Sequence, residues 1–172
     1  MTNKQDCDKL PSFDRVNQLF NFNFEKGIVT WKIKASRSTR IGSIAGCITP
    51  RGYICVGIGK QLLRMHRVIW FAYTGLWPPE LIDHINGVPG DNRVSNLRLA
   101  TYAQNNRNAR LRKDNKTGFK GVNIRSCGKY QASCTDSRGV LKHLGLFATA
   151  AEAHSAYIEC SRREHGEFAR AS

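Results

Sequence analysis

Acidic residues are scarce in this chain of 172 residues: 13 Asp and Glu stand against 27 Lys and Arg, for a formal net charge of +14. The imbalance points to a polyanionic partner, with nucleic acid as the first candidate. No apolar run approaches the roughly 20 residues that a membrane span needs, so no membrane association is expected. The opening Met1-Thr2-Asn3-Lys4-Gln5-Asp6 lacks an apolar signal region, and secretion is not expected. The six cysteines, at 7, 47, 55, 127, 134 and 160, contain no C-x-x-C pair, which argues against a Cys-rich zinc site. The chain is long for a disulfide-stapled miniature, so all six read as reduced, with Cys134 and Cys160 as small core residues.

What is present supports a folded protein. The apolar fraction is 41%, enough for a core. The positive charge is densest over residues 105–129, with eight basic side chains against one acidic, whereas residues 130–172 balance five against five. Residues 1–12 are polar and read as a poorly ordered tail. Ile28-Val29-Thr30-Trp31 and Gly52-Tyr53-Ile54-Cys55-Val56 read as strands. Leu62 to Thr74 reads as a buried helix, closed by Gly75 at its C′ position and by Pro78-Pro79. Residues 81–110 read as strand, long loop and helix, the helix opened by the capping box Thr101-x-x-Gln104. His66, at the start of an apolar helix, reads as a packed, hydrogen-bonded histidine.

Residues 113–117 are polar and read as a basic linker. Beyond them, Gly121, Asn123 and Arg125 alternate with Val122 and Ile124, and Gln131, Ser133 and Thr135 alternate with Tyr130, Ala132 and Cys134. These are two half-buried strands. Asp136-Ser137-Arg138-Gly139 turns into a third strand near Val140 to Leu146. Thr149-x-x-Glu152 is a second capping box, and Ala153, Ala156, Tyr157 and Cys160 form one apolar helical stripe that Gly166 ends. The expected module is a three-stranded antiparallel sheet covered by one helix.

The chemical signal lies in Asp83-His84-Ile85-Asn86-Gly87, Asp91-Asn92-Arg93, Asn96-Leu97-Arg98 and Gln104-Asn105-Asn106. Hydrolysis of a phosphodiester needs a base for water, a cation against the developing charge, and groups that hold both in register. His84 can supply the base, because imidazole titrates near neutral pH. Asp83 and an amide oxygen from the helix can hold a hard cation, and oxygen ligands suit Mg²⁺. Adjacent residues on a regular strand point to opposite faces, so Asp83 and His84 converge only where the strand ends or bulges.

This stretch resembles the HNH family of nucleases, in the phage and intron-encoded branch where asparagine replaces the later histidines. The resemblance covers roughly residues 13–110, within a nuclease domain expected over residues 13–112, and implies an α+β fold built on a ββα-metal unit. By motif position it makes His84 the general base, Asp83 a metal ligand, Asn96 the loop-pinning residue that orients the histidine, and Asn105 the second metal ligand, with Asn106 and Asn108 as competitors. It implies Mg²⁺, with Mn²⁺ as a substitute, and Arg98 as a DNA contact. Residues 118–170 resemble the APETALA2-like DNA-binding domain of plant ethylene-response factors, through Phe119-Lys120-Gly121-Val122, Gly128-Lys129-Tyr130, Leu144-Gly145 and Thr149-Ala150-x-Glu152-Ala153. That family lays its sheet in the major groove, which implies contacts from Lys120, Asn123, Arg125, Ser133, Thr135 and His143. Arg107, Arg110 and Lys129 complete the basic strip. The expected activity is metal-dependent cleavage of double-stranded DNA by a monomer, as a phage homing-type enzyme in the cytoplasm of a bacterial host. The alternative is a non-catalytic, sequence-specific DNA-binding regulator that keeps the same fold.

Overall fold

The computed structural model describes residues 10–112 and 114–170, so the expected tail lies outside the described residues as far as residue 9. The chain is a mixed α+β protein with small sheets. It divides into two compact units, Met1–Ala100 and Thr101–Ser172.

In the first unit, helix α1 (Phe13–Leu19) starts at Ser12, whose hydroxyl accepts the Arg15 amide at 3.2 Å. It runs straight into β1 (Phe20–Asn23), which pairs antiparallel with β2 (Ile28–Trp31). A second antiparallel sheet has the order β3 (Cys47–Ile48), β4 (Ile54–Ile58), β5 (Gln61–Arg64). Helix α2 (Met65–Thr74) follows β5 directly. The helix expected from Leu62 therefore begins three residues later, because Leu62 and Leu63 pair with Gly57 and Val56 across a hairpin turned at Gly59. A short apolar run does not declare its period, and here cross-strand pairing with β4 decides it. The helix ends as expected: Gly75 has φ +77 and its amide returns to Phe71 O at 2.8 Å.

Val16, Leu19, Phe20, Val29, Val56, Met65, Val68 and Ile69 make the core of this unit. Each such side chain contributes roughly 1.5–3 kcal/mol on burial. The core fixes α2 beneath β6 (Leu81–His84), which pairs antiparallel with β7 (Leu97–Ala100). β7 was not expected: it lies within the stretch read as a long loop between a strand and a helix. Gly27, at φ +65 in the β1–β2 turn, lies against that loop: a Cβ there would stand 2.4 Å from Arg93 N. With Val94 N bonded to Phe24 O at 3.1 Å, this turn braces the loop from outside.

The second unit opens with α3 (Tyr102–Arg107), which carries the expected Thr101–Gln104 capping box and is shorter than the sequence suggested. Lys113 lies outside the described residues. Asn115 accepts the amides of Thr117 and Gly118 at 2.9 and 2.8 Å, and Thr117 Oγ1 donates to Phe119 O at 3.0 Å. The segment read as a linker is thus a hydrogen-bonded turn leading into β8. Strands β8 (Val122–Ile124), β9 (Tyr130–Thr135) and β10 (Leu141–Phe147) form an antiparallel sheet in the order β10-β9-β8, bulged between His143 and Gly145. Helix α4 (Ala150–His165), with its capping box at Thr149 and Glu152, buries Ala153, Tyr157 and Cys160. Val122, Ala132 and Cys134 are buried on the sheet, as the alternation predicts.

Candidate active site

His84 is the last residue of β6 and is buried. Its Nε2 lies 3.1 Å from Asn92 Oδ1. An amide oxygen only accepts, so Nε2 carries the proton and the lone pair is left on Nδ1. Burial pushes the His84 pKa down from 6.5, and Arg64 adds to this. The Asn92 bond and the carboxylates of Asp83 and Asp91 pull the other way without reversing it. The ring is therefore neutral at pH 7, the state a general base needs.

The loop that holds this tautomer is tied by its own polar residues. Asn96 Oδ1 accepts the Asn86 amide at 3.0 Å, and its Nδ2 donates to Asn86 Oδ1 at 3.0 Å and Asp91 O at 2.8 Å. Asn96 thus pins the loop, while contact with the histidine ring falls to Asn92. Sequence reasoning placed Asn92 inside the motif without giving it a role. Arg93 grips Asp91 with two bonds of 2.8 and 2.6 Å, and this guanidinium holds the Asp91 carboxyl down at about 2. Asn92→Ala removes the oxygen that accepts from Nε2, so kcat is expected to fall about 10–100-fold. Single-turnover cleavage checks this, with a thermal melt to confirm that the loop survives.

Asp83, one residue before the base, is buried and faces Arg98 across the β6–β7 pair. Arg98 Nε and one terminal nitrogen both reach Asp83 Oδ2, at 2.9 and 2.8 Å. The expected DNA contact Arg98 is thereby placed as the partner of the expected metal ligand, fixing its rotamer. His66 is packed as expected, with its ring centroid 4.9 Å from that of His84. The hydrogen bond expected of it is absent at Nδ1, which has no partner among the described residues. Asn105 stands on α3 in the second unit and is half-buried.

Among the described residues, no group of three or more His, Cys, Asp or Glu is arranged to hold an ion. A carboxylate with an amide oxygen suits a hard cation, which keeps waters and takes phosphate as a further ligand.

The second unit carries the other candidate contacts. Asn123, Gln131, Ser133, Thr135 and His143 lie on the sheet face away from α4, with Asn123 opposite Gln131 and Ser133 opposite His143. Gln131 and His143 also bond side chain to side chain. Arg110, Arg125 and Lys129 are exposed. Lys120 is turned inward: its ammonium donates to Arg107 O at 2.6 Å and Ala109 O at 2.7 Å. Burial, reinforced by Arg170, lowers its pKa to about 8. Arg107 in turn donates to the carbonyls of Asp136 and Ser137 at 3.1 and 3.2 Å. These two cations bind α3 to the sheet module.

Residues 64–107 match the family model described as HNH endonuclease. Protein 3.8 of Escherichia phage T7 is 33% identical over 109 residues, which is 62% of this chain and 88% of that protein. The chain belongs to the HNH endonuclease family. It is accordingly a nuclease, a hydrolase acting on phosphodiester bonds. The match places His66, Asp83, His84, Asn92, Asn96 and Asn105 of this HNH endonuclease inside the family's defining segment. Among solved structures, one described as DNA binding and cleavage by the HNH homing endonuclease I-HmuI is similar at 17% identity and a TM-score of 0.41, over 91% of this chain and 82% of that one.

Proposed function

We propose that this HNH endonuclease hydrolyses phosphodiester bonds in double-stranded DNA with a divalent cation, Mg²⁺ by preference and Mn²⁺ as a substitute. The observation that carries the reading is the neutral His84 ring, buried at a strand end and turned by Asn92 so that Nδ1 keeps its lone pair. His84 Nδ1 takes the proton of the attacking water. Asp83, steadied by Arg98, would be one oxygen donor for the ion. Asn105 is proposed as the second on its motif position. When bound, the cation supplies positive charge against the phosphate oxygens and the departing 3′ oxygen.

The second unit is proposed as an APETALA2-like reader. Its open face supplies Asn123, Ser133, Thr135 and His143 for base edges, while Arg110, Arg125 and Lys129 supply charge for phosphates. The inward bonds of Lys120 and Arg107 make them supports of that face. The similarity to a phage T7 protein supports a phage-encoded enzyme, which is proposed to work as a monomer in the cytoplasm of the host.

Supercoiled plasmid incubated with the full chain tests this reading. Conversion to nicked or linear product with Mg²⁺, abolished by EDTA, is the expected result. DNA bound without conversion would favour the non-catalytic regulator, and cleavage undiminished in EDTA would remove the cation from the mechanism.

A further inference from the structure

A bulge sets the outward face of the second sheet. His143 lies opposite Ser133, Gly145 opposite Ala132 and Leu146 opposite Gln131, so β10 holds one residue more than β9 over this stretch. Gly145, at φ +138, takes up the irregularity. On a regular strand, positions 143 and 146 would point to opposite faces. The bulge instead brings Leu146 to the face that carries Leu141 and His143, where the two leucines are 58% and 56% exposed.

Gln131 and His143 are diagonal neighbours across β9 and β10, and their side chains are bonded to each other. An amide nitrogen only donates, so Gln131 Nε2 donates to His143 Nδ1 and the other ring nitrogen carries the proton. The pair then presents an acceptor, Gln131 Oε1, beside a donor, His143 Nε2. Turning the amide over exchanges the two roles and leaves the same complement of one donor and one acceptor. In the major groove adenine sets the acceptor N7 beside the N6 amino donor, which matches such a pair. Guanine sets two acceptors side by side, N7 and O6, and asks for two donors. The leucines add a second criterion, because they flank His143 along β10 and are apolar. Thymine carries a methyl group on its major-groove edge, and a G·C pair offers none.

We infer that Gln131 and His143 act as one unit that reads an adenine in the major groove, with a flanking leucine against the methyl group of thymine. The second unit thereby selects an A·T pair at this point of its site. The inference rests on the proposed reading that this sheet face meets DNA, and it gives that face a base preference.

The test selects binding sites from random duplex DNA with the full chain in EDTA at fixed salt. The parent is compared with Gln131→Ala, His143→Ala, Asn123→Ala and Thr135→Ala, each checked by thermal melting. The position at which the Gln131→Ala and His143→Ala sites depart from the parent's is expected to be an A·T pair in the parent. Its preference over G·C should fall about tenfold in either variant. Modified duplexes check the same contact with unaltered protein. At each A·T pair of the parent's site in turn, 7-deazaadenine removes N7 and deoxyuridine removes the methyl group. Binding is expected to weaken several-fold with 7-deazaadenine at the position that the variants identify, and with deoxyuridine there or in the adjoining pair. A G·C pair at that position, sites left unchanged by both Gln131→Ala and His143→Ala, or binding indifferent to the modified bases would overturn the inference. Where Asn123→Ala and Thr135→Ala do change the selected site, that failure belongs to the base preference alone. Where they also leave it unchanged, or the parent selects no sequence, the second unit is not the reader, and that part of the proposed function fails with the inference.

Discussion

His84→Ala is expected to lower the rate of DNA cleavage by about 10²–10⁴-fold while leaving DNA affinity unchanged. The imidazole is buried and neutral at pH 7, so its removal subtracts no charge from the electrostatic attraction that dominates binding. What it does subtract is the lone pair that the Asn92 bond to Nε2 assigns to Nδ1. The loss should therefore appear in kcat at saturating DNA, with KM little moved. Single-turnover cleavage and a binding titration in EDTA separate the two quantities. Equal rates for the substituted and parent enzymes would take His84 out of the chemistry. A parallel loss of affinity would show that the ring serves binding instead.

Gly121→Ala should be the most damaging single methyl group in the second unit. The residue has φ +75, a region that costs an L side chain roughly 1–2 kcal/mol. An added Cβ would also stand 2.0 Å from Cδ2 and 2.4 Å from Cγ of Tyr157. Tyr157 cannot yield cheaply, because it is buried between Cys134 and Cys160 on the α4 stripe. Overpacking of this kind adds about 1–3 kcal/mol or more. Against a domain stability of about 5–15 kcal/mol, the sum is large. In a unit of this size it should lower the melting temperature by at least about 10 °C. DNA retention should fall with it, since the proposed reading face is carried by the same sheet. Trp31, Trp70 and Trp77 all lie in the first unit, so tryptophan fluorescence reports on that unit separately. A Gly121→Ala protein that melts with the parent would show that Tyr157 is not wedged over residue 121.

Local signals in the sequence translated well into structure. The two capping boxes at Thr101 and Thr149 formed, because their partners lie three residues away and need no tertiary context. Gly75 closed α2 for the same reason. The alternation of Val122, Ala132 and Cys134 with polar neighbours gave the correct buried face of the second sheet. Leu62 and Leu63 misled, since two apolar residues before an apolar helix fit either period until a hairpin partner is known. Asp83 and His84 stood out through their place in a long pattern, and the structure buries both at the end of β6.

Contacts made across the chain were not legible. Asn92 reaches His84 because the loop from Ile85 to Asn96 folds back on β6, and Gly27 braces that loop at Arg93 from a hairpin far earlier in the chain. Neither relation has a local spacing. The basic residues show the same limit: Lys120 and Arg107 count as charges in the sequence, yet their nearest partners are main-chain carbonyls of their own unit. His66 was expected to be packed and hydrogen-bonded; it packs beside His84, and its Nδ1 has no hydrogen-bond partner among the described residues.

The account turns on which nitrogen of His84 bears the proton, and ¹⁵N NMR of the histidine-labelled protein at pH 7 reads this directly. It predicts a neutral His84 ring protonated at Nε2, with that proton lost from its Asn92 environment in Asn92→Ala. A ring protonated at Nδ1 would put its lone pair on Nε2, against Asn92 Oδ1, and one doubly protonated at pH 7 would have none; either result would contradict the account.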